Sequence, residues 1–295
     1  MATLRDLKRQ IGSVKNIAKV TEALQTVSAV KFRKAEARVK QARPYAENME
    51  EMMRDVAKRA RSKSPLLVGR EEISRIGVAT LTADRGLAGG FNAQVLRRTM
   101  RFRGEQEVND FAQVASGRKS VAFFRFRGIE LEETYTGFSD TPTYEKAREI
   151  GRALTRLFQE EEADEVYLIF NRFESALTQQ PVVKRLLPAA PEDEEEAGEG
   201  EERSWEDESV LEYVPDAETM LKKLVPRYVE TMIWQAMLES SAGEHGARMT
   251  AMKNATDNAN DLAKDLTLQM NKARQAQITQ EILEIAAGAD ALAAG

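Results

Sequence analysis

The chain has 295 residues, 42% hydrophobic and 31% charged, with a net charge of −5. It contains no Cys and one His, so disulfides, thiolate metal sites and cysteine nucleophiles are excluded, and His245 is the only imidazole available to a triad. No apolar run approaches the about 18 residues that cross a bilayer, and residues 1–10 lack a signal-peptide core; the expectation is an intracellular chain that meets a membrane only through a partner.

Residues 1–63 carry 16 Lys/Arg against 7 Asp/Glu. From Thr3 to Lys58 the only helix breakers are Gly12 and Pro44. Thr3 with Asp6 gives a capping-box-like start. Leu4, Leu7, Ile11, Val14, Ile17, Val20, Leu24 and Val27 follow at steps of three and four, a narrow coiled-coil stripe. Pro44 is expected to kink this helix without ending it. The positive charges are spread around the helix among acids and without stacking aromatics. They read as a solvated face or a contact for an acidic protein, and not as a nucleic-acid site.

Residues 64–74 read as a linker into an α/β region. Strands are expected at 75–82, 111–115, 131–136, 165–173 and 181–187, and helices at 93–103 and from Thr141-Pro142 to 158, with 117–127 ambiguous. This alternation predicts an open, Rossmann-like α/β sheet. Residues 191–209 are acidic, with 11 acids against one Arg in 192–208, and read as a disordered or loosely attached loop. The last helix is expected to start at Pro215-Asp216 and to pass Pro226, Gly243 and Gly246. Its stripe is Met249, Met252, Ala255, Ala259, Leu262, Leu266 and Met270, then Ile278, Ile282 and Ile285, with an end at Gly288. Small residues at Ala255 and Ala259 would let a second helix approach. The organisation is thus 1–63 N-terminal helix, 64–190 central domain, 191–209 acidic loop and 210–295 C-terminal helix. Two such helices are too extended to wrap one core, and are expected to pair as an antiparallel coiled coil.

Candidate chemistry is thin. Gly86, Gly89 and Gly90 stand between a strand and a helix, where phosphate loops sit, but lack the P-loop Gly-Lys-Ser/Thr and the dinucleotide spacing. Asp84 and Arg85 either bind a ligand there or form a local ion pair that caps a tight turn. His245 has no second His or Cys beside it, which argues against a metal. Trp205 and Trp234 read as a loop anchor and a packing residue. Met49, Met52 and Met53 read as packing. Asp257 and Asp261 lie on a solvated helix face. No cofactor is expected.

Several blocks nevertheless resemble one family, the gamma subunit of the bacterial F-type ATP synthase. They are 247–259, 271–282, Ser13–Asn16, Val30–Arg33, Asp84–Asn92, Asn171–Phe173 and Thr178–Pro181, in the family's order. The resemblance implies a non-catalytic rotor shaft on the cytoplasmic face of the bacterial membrane. Its terminal helices would pair inside a ring of three alpha and three beta subunits. Its α/β foot would grip the epsilon subunit and the c ring, so that proton flow drives ATP chemistry at alpha–beta interfaces. It places beta catch-loop contacts at Arg274, Gln275, Thr279 and Glu281, lever-loop contacts at Leu24, Arg248 and Lys253, and an epsilon contact at Tyr213. Ala88 stands where relatives often have Cys, and with no Cys anywhere thiol regulation is ruled out. Two other readings stay open on the residues alone: a nucleotide-binding α/β enzyme with helical appendages, and an unrelated coiled-coil scaffold. Deleting 192–208 is expected to leave assembly with partners intact; a pull-down in which the deleted chain no longer forms the complex would refute its reading as a peripheral insert.

Overall fold

The computed structural model describes residues 3–59, 67, 69–70, 72–189 and 217–293. In chain order the elements are α1 (Leu4–Arg59), β1 (Arg75–Leu81), α2 (Phe91–Glu105), β2 (Asp110–Ser116), α3 (Arg118–Phe126) and β3 (Glu133–Tyr135). They continue with α4 (Tyr144–Gln159), β4 (Glu165–Phe173), β5 (Gln179–Leu187) and α5 (Ala217–Ala293). Two compact units result, Met1–Ala29 with Arg248–Gly295, and Val30–Ala247, so both terminal helices contribute to each. The ambiguous 117–127 segment is helix α3, and α4 starts at Tyr144 with Thr143 as N-cap, two residues past the expected Thr141-Pro142 start. Pro44 and Pro226 lie inside unbroken helices, and α5 passes the expected stop at Gly288 to end at Ala293. The expected start at Pro215-Asp216, the acidic tract 192–208 and Trp205 lie outside the described residues.

In the unit Val30–Ala247, a five-stranded sheet has the order β3-β2-β1-β4-β5, parallel except for β5, which is an antiparallel edge. Both faces are covered, so strands read as continuous apolar runs. Alternation along β1 still divides its side chains. Ile76 and Val78 join Val95 and Phe102 of α2, while Ala79 and Leu81 join Ile150, Leu154 and Phe158 of α4.

The first half of α5 is core. Val225, Val229, Met232, Ile233, Ala236 and Met237 share the α4 cluster, and Leu238 and Ala242 pack with Ala35 and Val39 of α1 and Phe173 of β4. From Tyr228 to Gly246 every residue except Trp234 and Gln235 is buried. The expectation that both long helices stand apart from a globular core therefore fails for this stretch. The cover takes in polar side chains as well, with Glu230, Thr231, Glu239, Ser240, Ser241, Glu244 and His245 buried beside the apolar ones, so hydrophobic patterning alone did not mark the stretch as core. Gly243 and Gly246 are close-approach points, not breaks. A Cβ on Gly243 would meet the Phe91 ring at 3.0 Å and Gln179 at 3.1 Å, and one on Gly246 the Ala176 carbonyl at 3.0 Å and the Phe32 ring at 3.4 Å. Trp234 packs edge-on to Tyr144, with ring centroids 6.0 Å apart, and Met49 and Met53 are buried while Met52 is exposed.

In the other unit, α1 and α5 form the expected antiparallel coiled coil, with a seam that differs from the apolar stripe. On α1 the covered positions are Leu4, Leu7, Ile11, Val14, Ala18, Thr21, Gln25 and Ser28, with Leu24 half-buried beside them. These alternate steps of three and four, as a left-handed coil requires. The apolar stripe left that rhythm at Ile17, and Ile17, Val20 and Val27 are 52%, 59% and 53% exposed. On α5 Met252, Thr256, Ala259 and Ala263 are buried and Met249, Leu266, Met270 and Ala273 half-buried on the same three-four rhythm; Ala255 is half-buried beside it and Leu262 is 49% exposed. Thr21 and Thr256 hydroxyls meet at 2.6 Å and set the register. Leu4 and Ala273 lie equally far from that contact, so the seam ends together on both helices. Beyond it every side chain of 274–287 is exposed, including Ile278, Ile282 and Ile285 of the expected stripe.

Asp164 ties the start of the sheet. Its Oδ1 accepts from Arg70 at 2.7 Å, and its Oδ2 accepts from Ser74 N and Oγ, both at 2.8 Å, and from Arg75 N at 3.0 Å. Burial alone would raise its pKa, but the Arg70 guanidinium and these N–H and O–H donors outweigh it and hold the carboxyl at about 2. A pKa lowered on folding gives stability that is present above the ordinary carboxylate value and is lost as pH falls through the folded one. The difference corresponds to about 2 kcal/mol. Stability should fall between about pH 4 and pH 2, and Asp164→Asn should lower it at pH 7 while flattening that fall in denaturant titrations. An unchanged acid profile in the variant would refute this account.

Candidate functional site

The Asp84–Gly90 turn is a structural knot. Asp84 Oδ1 accepts from Arg118 N at 3.0 Å, and Oδ2 from Gly137 N at 2.9 Å and Ser139 N at 3.0 Å; its own N–H donates to Ser139 Oγ at 2.8 Å. Burial would raise its pKa, yet the three backbone donors reverse this and hold it below the usual carboxylate range. The expected Asp84–Arg85 ion pair is absent among the described residues, because backbone amides already fill the carboxylate, and the Arg85 charge acts on Asp140 instead. Asn92 Oδ1 accepts from Ala83 N at 2.8 Å, and Ala88 is buried with Ala83, Phe91 and Ala247. The glycines allow the turn: Gly89 has φ +54°, next but one to Leu87 at +62°. Gly117 lies on the adjoining loop with φ +96°, where a Cβ would stand 2.1 Å from the Thr82 carbonyl oxygen.

Strand order reverses at β1, and in open α/β sheets a ligand binds outside the carboxyl ends of the strands at such a point. Here α5 occupies that place. Glu239 Oε2 accepts from Phe173 N at the end of β4 at 3.0 Å, Gly243 lies on Phe91 and Gln179, and Ala247 meets the Ala83–Ala88–Phe91 cluster. The cavity lined by Leu81, Thr82, Ser116, Met237 and Ser241 measures about 20 Å³. That holds roughly one water and no phosphate. The glycine turn therefore braces α5. His245 is 2% exposed, with Nε2 3.4 Å from the Asp140 carbonyl and 3.5 Å from its carboxylate, which also receives Lys31 Nζ at 2.5 Å. Among the described residues no group of His, Asp and Glu could hold a metal.

The other named residues lie on the coiled-coil unit. Leu24 is half-buried and Lys253 exposed, and the Thr21–Thr256 register puts them at one level; Arg248 is 8% exposed. Arg274, Gln275, Thr279 and Glu281 are all exposed on the unpartnered end of α5. At about 100° per residue, Arg274 and Glu281 share one line and Gln275 and Thr279 another, with Ile278, Ile282 and Ile285 between them. One face thus has an apolar centre and polar flanks. Around this end of the helix Thr279 Oγ1 donates to Gln275 O at 2.9 Å, Gln277 to Glu281 at 2.9 Å and Gln280 to Glu284 at 3.0 Å, local bonds that support a helix without a partner among the described residues. The outward residues Ile17, Val20 and Val27 were missed as a surface; counting strict three-four alternation from Leu4 would have separated them from the seam. Tyr213 lies outside the described residues. Among the described residues, no helix is long and apolar enough to cross a membrane.

The sequence profile of the ATP synthase family matches residues 3–292. The ATP synthase gamma chain of Rubrobacter xylanophilus is 70% identical over 295 residues, covering 100% of both chains. The chain belongs to the ATP synthase gamma chain family. The gamma chain of Moorella thermoacetica is 44% identical over 293 residues, with 99% of this chain and 100% of that one covered. Among solved structures, a chain of the Euglena gracilis mitochondrial ATP synthase (OSCP/F1/c-ring, rotational state 3) aligns with a TM-score of 0.68 at 18% identity, covering 99% of this chain and 95% of that one. A chain of the Tetrahymena thermophila central stalk/c-ring assembly aligns with a TM-score of 0.59 at 22% identity, covering 80% of this chain and 99% of that one. The gamma-chain fold thus combines a Rossmann-like strand order with a filled ligand crevice.

Gly117→Ala should destabilise the α/β unit by about 3 kcal/mol or more, since both the positive φ and the Thr82 carbonyl oppose a side chain. Equilibrium urea unfolding measures it, and a loss below about 1 kcal/mol would overturn this account of the turn.

Proposed function

We propose that this chain is the central rotor shaft of an F-type ATP synthase, a non-catalytic subunit that couples ion flow through a membrane ring to ATP synthesis or hydrolysis on other subunits. The observation that carries the reading is end-to-end identity of 70% with a gamma chain. The filled crevice supports it against the nucleotide-binding enzyme, and the family against an unrelated scaffold.

The mechanism follows from asymmetry. A ligand or partner shifts a conformational equilibrium only by binding its states differently. The coiled-coil unit offers unlike sides: Ile17, Val20 and Val27 face outward from α1, and the apolar-centred face of 274–285 stands on α5. Turning such a body inside a ring presents each surrounding subunit with a different surface in turn. In this reading Arg274, Gln275, Thr279 and Glu281 meet the beta catch loops, and Leu24, Arg248 and Lys253 meet the beta lever loop. Tyr213 meets epsilon, the α/β unit sits on the c ring, and the assembly lies at the cytoplasmic face of the bacterial membrane.

Affinity-tagged chain expressed with its own operon partners should recover alpha and beta subunits at three copies each per copy of this chain. Absence of alpha and beta from the eluate would sink the rotor reading, as would micromolar, saturable nucleotide binding by the chain alone. Ile278→Asp with Ile282→Asp should leave the recovered complex intact and lower its ATP hydrolysis several-fold, because charge replaces the apolar centre of the contact face. Unchanged turnover would remove that face from the coupling contact.

A further inference from the structure

The α/β unit carries a second polar cleft that the rotor role does not use. Its walls are Gly151, Arg152, Thr155, Arg156 and Gln159 of α4 and Pro226 and Glu230 of α5, and its volume is about 200 Å³. Gly151 opens the approach of the two helices: a Cβ there would stand 3.2 Å from Glu230 Cγ. Thr155 is 6% exposed and its hydroxyl has no hydrogen-bond partner. Within a helix that hydroxyl normally bonds back to the carbonyl four residues earlier, so an unmade bond in a buried position is a cost that an occupant can remove. Arg152 and Arg156 flank it one turn apart. Like charges at that spacing disfavour the helix unless an anion lies between them. Arg156 Nη2 bonds Glu133 at 2.5 Å, while Arg152 makes no ion pair among the described residues. Glu230, 6% exposed, stands on the other wall with Tyr144 Oη donating to its Oε2 at 3.0 Å.

We propose that this cleft binds inorganic hydrogen phosphate, an oxyanion that keeps a P–OH group at pH 7. The two guanidiniums and the Thr155 hydroxyl donate to its anionic oxygens. Glu230 accepts from its P–OH group. That carboxylate sets the specificity, because an oxyanion with no proton to give leaves Glu230 facing bare negative charge. A site built around a donated hydrogen bond rejects an analogue that lacks it far more strongly than a change of size would.

The test is calorimetric titration of the full chain at pH 7 with inorganic phosphate, glycerol phosphate and sulfate, with thermal melts of the unliganded variants. Inorganic phosphate should bind saturably, and sulfate at least about tenfold more weakly. Glycerol phosphate, whose second pKa of about 6 leaves it mostly without a P–OH at pH 7, should follow sulfate. Arg152→Gln, an exposed change that leaves packing alone, should weaken binding about tenfold or more. Thr155→Val should weaken binding and raise the melting temperature of the unliganded chain, since it removes the unsatisfied hydroxyl. Glu230→Gln should bring sulfate and phosphate affinities together. Failure of inorganic phosphate to bind at up to about 10 mM, equal binding of sulfate by the unaltered chain, or binding indifferent to Arg152→Gln would overturn the proposal.

Discussion

The whole chain depends on one constraint, that a single helix of 77 residues must satisfy three environments along its length. An α-helix closes its own backbone bonds everywhere, so only its side chains can change from one environment to the next. In the first stretch α5 is covered on nearly every side, its Glu230, Glu239, Glu244 and His245 included, and serves as a core element over the sheet. In the second it narrows to a three-four seam against α1. In the third it meets no partner among the described residues and is supported by glutamine–glutamate and threonine–carbonyl bonds within the helix. Gly243 and Gly246 mark the end of the first stretch, where the helix lies flush against α2 and the β4–β5 hairpin.

Carboxylates do the complementary work in the α/β unit, Asp164 buried and Asp84 and Asp140 half-buried. Asp84 gathers the loops after β1, β2 and β3 through backbone amides, and Asp164 gathers Arg70 and the entry to β1. Asp140 takes Lys31 from α1 and lies against His245 of α5. In each case an anion meets several convergent donors, a geometry in which burial strengthens the contact. The sheet edge that a nucleotide-binding relative of this topology would keep open is thereby closed with polar connections and covered by α5.

Much of this was legible from residue order. The strand–helix alternation, the β4–β5 pair and the two terminal helices follow from periodicity and breakers, and the blocks around 247–259 and 271–282 pointed to the family. The failures have a common physical origin. Ile17, Val20 and Val27 drew the seam toward themselves because hydrophobicity was weighed above strict heptad spacing, whereas the helices meet through Ala18, Thr21 and Ser28. Asp84 drew Arg85 as a partner because charge is visible in a sequence and a converging set of backbone N–H groups is not. The placement of 228–246 as core needed the third dimension, because hydrophobic patterning does not put Glu230, Glu239, Glu244 and His245 in a core. Thr155 gave no signal at all, since an unpartnered hydroxyl exists only as a consequence of packing.

The seam has one further implication. Interaxial distance between packed helices is set by the side chains between them, within roughly 8–10 Å. Layers built from Ala18 and Ala259, and from Thr21 and Thr256, sit at the short end of that range and bury little apolar area. The result is a slim pair of helices with modest cohesion of its own. Such a pair resists unwinding only weakly through the grip of one helix on the other, so any further stiffness has to be supplied from outside the pair.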